Sequence, residues 1–153
     1  NIEPGTMVEL AEIPSVRAVK QANDGLDQAR RILAETDLDV YAGDDNLVFP
    51  FLQLGGVGGI CVRSHIAGER MKEMIRLHRA GDVEGAQRIH EELIPIFDLD
   101  RVAINPIPVK TALAMLGHEV GGFRLPLVDA TDAERESIRD ALERVGIHAP
   151  APA

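Results

Sequence analysis

The sequence is poor in cysteine, in aromatic residues and in positive charge. Its 153 residues include one cysteine, Cys61, so an internal disulfide is impossible and a reducing cytoplasm is the simplest compartment to expect. Aromatic residues make up only 3% of the chain and hydrophobic residues 45%, so we expect a core of mainly aliphatic side chains. The formal net charge of -9 argues against binding to nucleic acid, which requires a basic surface.

Long apolar stretches and targeting signals are also lacking. No stretch approaches the roughly 20 apolar residues that a membrane-spanning helix needs, and the amino terminus does not resemble a signal peptide. We therefore expect a cytoplasmic protein without a membrane partner. The first residue is Asn1 rather than Met, and a helical pattern follows almost at once, which suggests a piece of a longer polypeptide. Residues 149–153, which are alanine and proline only, are predicted to form a short flexible tail.

The first half of the chain alternates between strand-like and helix-like patterns. Short, largely apolar runs at residues 16–20, 39–42 and 59–62 predict three strands. Helical patterns separate these strands, and the helix predicted over residues 46–54 should end at Gly55. Such alternation is typical of an α/β protein with a parallel sheet, although three strands cannot close a barrel.

The second half is predicted to be helical. Asp82 can cap one helix, and Thr131 with Glu134 matches a capping box at the start of another. Between them, residues 105–108 contain two prolines and predict a stiff extended stretch before a helix over residues 109–116. We therefore predict three parts, namely a part-barrel at 1–80, a helical domain at 81–148 and the tail at 149–153.

Lys20 is the first candidate for chemistry, because it ends a predicted apolar strand. In TIM barrels the functional groups lie at the carboxyl ends of strands. A lysine held in apolar surroundings has a lowered pKa, and its neutral amine can attack a carbonyl group to form a Schiff base. An ordinary lysine at the start of a loop fits the same pattern, and the pattern alone slightly favours that alternative.

Other motifs in this half have structural as well as functional interpretations. The glycine-rich run at 55–59 precedes a strand, whereas phosphate-binding loops follow one, so close packing at a turn is favoured. Asp44 and Asp45 could bind a divalent metal, but a helix cap is favoured for Asp45 and both roles stay open for Asp44. Cys61 and His65 lack the further ligands of a zinc site, so we expect no metal.

Five short segments follow one another over nearly the whole chain. They are Val-Arg-Ala-Val-Lys at 16–20, Tyr-Ala-Gly-Asp-Asp at 41–45, Gly-Gly-Val-Gly-Gly-Ile-Cys-Val at 55–62, Asn-Pro-Ile-Pro-Val-Lys at 105–110 and Arg-Leu-Pro-Leu at 124–127. Together and in this order they resemble the dihydrodipicolinate synthase family, also called the 4-hydroxy-tetrahydrodipicolinate synthases. Cys61 and Ala42 stand where the family usually has serine, and His65 stands where many members have asparagine.

The resemblance implies a fold and an activity. The fold would be the C-terminal part of a TIM barrel, with strands six to eight, followed by a C-terminal helical domain that helps to build a homotetramer. The activity would be that of a class I aldolase-type lyase, which condenses pyruvate with aspartate semialdehyde in lysine and diaminopimelate biosynthesis. No separate cofactor is implied, because Lys20 itself would hold pyruvate as a covalent imine.

The resemblance also implies roles for neighbouring residues. The main-chain carbonyl of Ile60 would contact pyruvate, and the main chain around Gly43 would lie near the second substrate. Asp44 is a further candidate, which would support these groups without contacting a substrate. The family's proton-relay tyrosine, threonine pair and carboxylate-binding arginine belong to the first five strands, and Tyr41, inside strand seven, is not that tyrosine. We therefore expect this chain to be inactive unless the N-terminal barrel half is present.

Two other functions stay open. A sister pyruvate lyase of the N-acetylneuraminate lyase superfamily would form the same lysine adduct with a different acceptor aldehyde, although the segment at 105–110 favours the synthase. Alternatively, the chain is a non-catalytic half-barrel that serves only as a structural module. A complementary half that restores turnover would exclude the second alternative.

Overall fold

The structure, a computed structural model, describes residues 1–23 and 25–148, so the predicted tail lies outside the described residues. The chain combines α-helices with a small parallel sheet, which confirms the α/β class. The strands are β1 (Ala18–Gln21), β2 (Asp39–Ala42) and β3 (Gly58–Gly59). The α-helices are α1 (Pro4–Ala11), α2 (Asp27–Glu35), α3 (Val48–Leu54), α4 (Ser64–Arg79), α5 (Val83–Phe97), α6 (Ile107–Met115) and α7 (Asp132–Arg144), with 3-10 turns at Asp45–Leu47 and Asp98–Arg101.

The chain divides into two compact units. Of the described residues, those within 1–62 and 73–87 form the first unit, and those within 63–72 and 88–148 form the second. Both α4 and α5 therefore contribute residues to each unit. The boundary near residue 80 that the sequence predicts stays a prediction. Within the described residues, no helix combines the length and the apolar character needed to cross a bilayer.

The sheet lies in the first unit and has the order β1-β2-β3. Strand β2 has the predicted bounds, whereas β1 begins later than predicted and extends one residue further, to Gln21. The third strand was predicted over 59–62, and that length is wrong. Strand β2 ends at Ala42, and the carbonyl of Ala42 accepts the N–H of Ile60 at 2.9 Å. The residues after Ile60 therefore have no main-chain partner in β2, and β3 cannot extend to residue 62.

Two helices cover one face of this sheet. Both α2 and α3 contact β2. Val40 from the strand, Ile32 from α2 and Phe51 from α3 are fully buried, as the amphipathic patterns require. Helix α3 ends at Gly55, which has a left-handed φ of 102°, so the predicted glycine stop is confirmed.

The described part of the second unit is mainly helical, and the predicted helical domain at 81–148 stays a prediction. Helices α6 and α7 pack against each other, and the capping box of Thr131 and Glu134 is present at the start of α7. The extended stretch predicted over 105–108 is wrong at its end, because α6 already begins at Ile107. Pro108 is compatible with a helix there, since N–H groups in the first turn have no intrahelical acceptor.

Candidate active site

Lys20 lies at the carboxyl end of β1, followed in the strand only by Gln21. Its position at a strand end is as predicted. The apolar enclosure expected around its amine is not formed by the described residues, because Lys20 is exposed. Ala18 and Asp39 lie on the same face of the sheet and are exposed too. This face of the sheet, opposite the helices, is therefore open.

Tyr41 is the neighbour of Lys20 on this open face. The two residues are in register between β1 and β2, and Tyr41 in turn pairs with Gly58. Neighbouring strands lie about 4.8 Å apart, so their side chains stand side by side. Tyr41 is inside a strand, as predicted, and it is half-buried. The pairing with Lys20 depends on the register between strands, which the sequence pattern does not give.

Gly43 approaches the end of β1 very closely. Its N–H donates to the carbonyl of Gln21 at 2.7 Å. A Cβ atom on Gly43 would lie 2.3 Å from the Cβ of Ala22, a distance that no side chain can tolerate. Glycine is therefore required at this position by packing, and the main chain at Gly43 lies beside the strand end that carries Lys20.

Ile60 completes a row of main-chain groups along the carboxyl edge of the sheet. Its N–H donates to the carbonyl of Ala42, the last residue of β2. Gly43, which follows Ala42, donates its own N–H to the carbonyl of Gln21 in β1. The structure thus brings Lys20, Gly43 and Ile60 to neighbouring strand ends. Small ligands of α/β proteins are held at this edge of a parallel sheet.

The glycine-rich run at 55–59 connects α3 to β3. A Cβ on Gly56 would lie 2.9 Å from the carbonyl oxygen of Phe51, and a Cβ on Gly59 would lie 2.6 Å from Cγ2 of Val48. These contacts confirm the interpretation that the glycines allow close packing at a helix-to-strand turn.

Cys61 is held next to charged groups of the same edge. Its thiol donates to the carbonyl of Ala42 at 3.6 Å. The pKa of Cys61 is raised to about 12, mainly by burial and secondly by the Asp45 carboxylate, while Lys20 lowers it in part and Asp44 adds to the rise. The thiol is therefore protonated at neutral pH and is a poor nucleophile.

The two aspartates after β2 are placed differently from each other. Asp45 is buried at the start of the 3-10 turn, and the N-cap position falls on Asp44, one residue earlier than predicted. Asp44 is half-buried and makes no cap hydrogen bond through its side chain. Among the residues that the structure describes, no cluster of three histidine, cysteine or acidic side chains could hold a metal ion. His65 is exposed.

The fold and this edge define a class of protein, namely an α/β protein with a lysine at a strand end beside the main chain of two neighbouring strand ends. Residues 1–145 match the model of the dihydrodipicolinate synthetase family. The chain belongs to this family, as the five ordered segments predict.

Individual relatives agree with the family model. The 4-hydroxy-tetrahydrodipicolinate synthase of Moorella thermoacetica is 48% identical over 149 residues, which cover 96% of this chain and 51% of the relative. The crystal structure of DHDPS from Cyanidioschyzon merolae with lysine bound is 40% identical, with a TM-score of 0.92, and covers 96% of this chain and 51% of that one. The dihydrodipicolinate synthase from Thermotoga maritima is 34% identical, with a TM-score of 0.91, and the match covers 95% of this chain and 52% of that one. The chain thus spans about half the length of the curated relatives it matches.

Proposed function

We propose that this chain is the catalytic C-terminal part of a 4-hydroxy-tetrahydrodipicolinate synthase and that Lys20 forms an imine with pyruvate. The observation that carries the proposal is the position of Lys20 at the carboxyl edge of a parallel sheet, beside the main chain of Gly43 and Ile60. Membership of the family supports the same reaction.

In this proposal β1, β2 and β3 are strands six to eight of a TIM barrel, and the helices of the second unit form the C-terminal domain. The open face that carries Lys20 would then face the barrel interior. The missing strands would cover Lys20 and supply the apolar enclosure that a neutral amine needs. The complete enzyme would be a cytoplasmic homotetramer without a separate cofactor.

The proposed reaction begins with the neutral amine of Lys20. Its nitrogen attacks the keto carbon of pyruvate, and loss of water from the adduct leaves an imine. Removal of a proton from the pyruvate methyl group gives an enamine, whose carbon adds to the aldehyde of aspartate semialdehyde. The amino group of the condensed product then attacks the imine carbon, which closes the ring and releases Lys20.

The neighbouring groups would bind and orient the substrates. The carbonyl of Ile60 would contact pyruvate, and the main chain at Gly43 would lie near aspartate semialdehyde, with Asp44 behind it. Proton transfer and recognition of the second carboxylate would depend on residues of the first five strands. We therefore expect the 153-residue chain to be inactive by itself.

Borohydride trapping tests the proposal. The chain is folded together with a polypeptide that covers the first half of the Moorella thermoacetica relative, treated with pyruvate and borohydride, and analysed by peptide mass spectrometry. We expect one reduced pyruvyl group on Lys20 in the complemented sample and none in the chain alone. Lys20→Arg should abolish the adduct, whereas Lys72→Arg, on the exposed surface of α4, should leave it unchanged. An adduct on another lysine would show that Lys20 is the wrong residue.

The same sample separates the alternatives. A sister lyase would form the Lys20 adduct but would not turn over aspartate semialdehyde. A purely structural module would form no adduct even with the complementary half, and the exposure of Lys20 in the described chain is the observation that favours it. Consumption of aspartate semialdehyde by the complemented sample would exclude both.

A further inference from the structure

Gln21 is a buried polar residue directly after Lys20. It is 7% exposed, on the face of β1 that lies opposite the lysine. Its side-chain nitrogen donates to Oδ1 of Asn23 and, at 3.0 Å, to Oε1 of Gln28. The side-chain nitrogen of Asn23 donates to the same oxygen of Gln28 at 2.8 Å. We call these three side chains the amide cluster.

The amide cluster joins the end of β1 to the start of the next helix. Gln28 is the second residue of α2, and Asn23 lies in the loop between the two elements. A buried amide is costly unless its hydrogen bonds are made, and here the three side chains make them with one another. The cluster consequently links Gln21 and Asn23 to the first turn of α2.

The main chain at Gln21 is also held by contacts with Gly43, at the end of β2. Its carbonyl accepts the N–H of Gly43 at 2.7 Å, and Ala22 packs against Gly43 so closely that a Cβ there is excluded. Gln21 is therefore the residue at which β1, the first turn of α2 and the end of β2 are tied together.

We infer that Gln21 is a positioning residue for Lys20. This inference rests on the proposed function. Successive strand residues share a peptide plane and point to opposite faces, so a side chain locked on one face sets the direction of its neighbour on the other. By locking Gln21, the amide cluster aims the Lys20 amine at a keto acid held by the main chain of Ile60. The cluster is neutral and does not titrate, so it acts on the geometry of the amine and leaves its charge alone.

Substitutions that keep size and remove hydrogen bonds test this role. The complemented protein is prepared with Gln21→Met, with Gln28→Met and with both, and Gln53→Met on the exposed side of α3 is the matched control. The readouts are the initial rate of pyruvate trapping on Lys20 at saturating pyruvate, the pyruvate concentration for half-maximal rate, and the pH dependence of the rate.

We expect Gln21→Met to lower the saturated rate roughly tenfold, because small displacements of reacting groups have effects of at least this size. The half-saturating concentration and the pH profile should stay close to those of the unsubstituted protein, since binding contacts and charges are unchanged. The double variant should be no slower than Gln21→Met alone, because both changes break the same cluster. Gln53→Met should trap pyruvate at the unsubstituted rate.

The outcomes that contradict the inference are distinct from failure of the proposed function. If Lys20 is labelled equally fast in Gln21→Met and in the unsubstituted protein, Gln21 has no positioning role and the proposed function stands. If Gln21→Met does not fold, as judged by circular dichroism, Gln28→Met decides, and an unchanged rate in that variant overturns the inference. If the unsubstituted complemented protein shows no adduct on Lys20, the proposed function is wrong and the inference falls with it.

Discussion

At the scale of single residues, the neighbourhood of Lys20 is decided by contacts between elements. The position of Lys20 at a strand end could be predicted from its local pattern, although that pattern alone slightly favours an ordinary lysine. The sequence could not show that Gln21 links three elements, because its hydrogen-bond partners are Gln28 in the next helix and Gly43 at the end of the next strand. The sequence shows only that a glutamine follows the candidate lysine. That this glutamine is buried can be seen only in the structure.

The Cys61 thiol gives a prediction about pH. Burial raises its pKa from 9.0, the ordinary value, to about 12. Between these pH values the unfolded chain has lost the thiol proton and the folded chain retains it, so the folded state binds more protons. The free energy of unfolding contributed by this group is therefore fully present below pH 9.0 and is lost as pH rises toward about 12.

Urea denaturation at several alkaline pH values measures this effect, with Cys61→Ser as the matched control. Serine keeps a hydrogen-bond donor for the carbonyl of Ala42 and does not titrate in this range. We expect the unsubstituted chain to lose more stability than Cys61→Ser between pH 9.0 and about 12. Parallel curves for the two proteins over that window would contradict the raised pKa.

At the scale of secondary-structure elements, local signals predicted the helices better than the strands. The capping box at Thr131 and the glycine after α3 act within a few residues, and both were predicted correctly. The length of β3 depends on where its partner β2 ends, and the start of α6 depends on whether Pro108 falls in a first turn. Neither fact is present in the local pattern, which explains why these two boundaries were wrong.

The start of α7 gives a prediction about stability. The Thr131 hydroxyl accepts the N–H of Glu134, and the Glu134 side chain accepts the N–H of Thr131 in return. We expect Thr131→Ala to lower the free energy of unfolding by about 1 kcal/mol, because an N-cap oxygen is lost.

Thermal or urea unfolding followed by circular dichroism measures this change. Thr6→Ala is the control, since Thr6 is an exposed residue inside α1 and alanine is the better helix former there. We expect the control to be neutral or slightly stabilising. Equal stabilities for Thr131→Ala and the unsubstituted chain would mean that α7 does not depend on its cap in solution.

At the scale of the whole molecule, the edges of the sheet bear on the proposed function. Within the described residues β1 has β2 as its one strand neighbour, and β3 likewise pairs with β2 alone. Exposed strand edges favour association with other strands. The edges and the open face around Lys20 therefore fit the proposal that the preceding barrel strands complete both the sheet and the site.

The direction of the main-chain groups in β1 allows this proposal to be tested without touching a catalytic group. The carbonyls of Arg17 and Gln21 accept hydrogen bonds from the segment that contains β2. Main-chain N–H and C=O groups point alternately to the two sides of a strand. The N–H of Val19 therefore points toward β2, whereas the N–H of Ala18 points to the outer edge of the sheet. Proline removes an N–H and is tolerated where that group does not pair within the sheet.

We therefore expect Ala18→Pro to leave the stability of the isolated chain nearly unchanged and to weaken its association with the complementary half, because one donor at the outer edge is lost. Val19→Pro is the matched control and should destabilise the isolated chain, since it removes a donor on the β2 side. Urea unfolding of each chain and titration calorimetry with the complementary half measure the two effects. If Ala18→Pro binds that half as tightly as the unsubstituted chain, the outer edge of β1 is not where the missing strands join, and β1 is not strand six of a closed barrel.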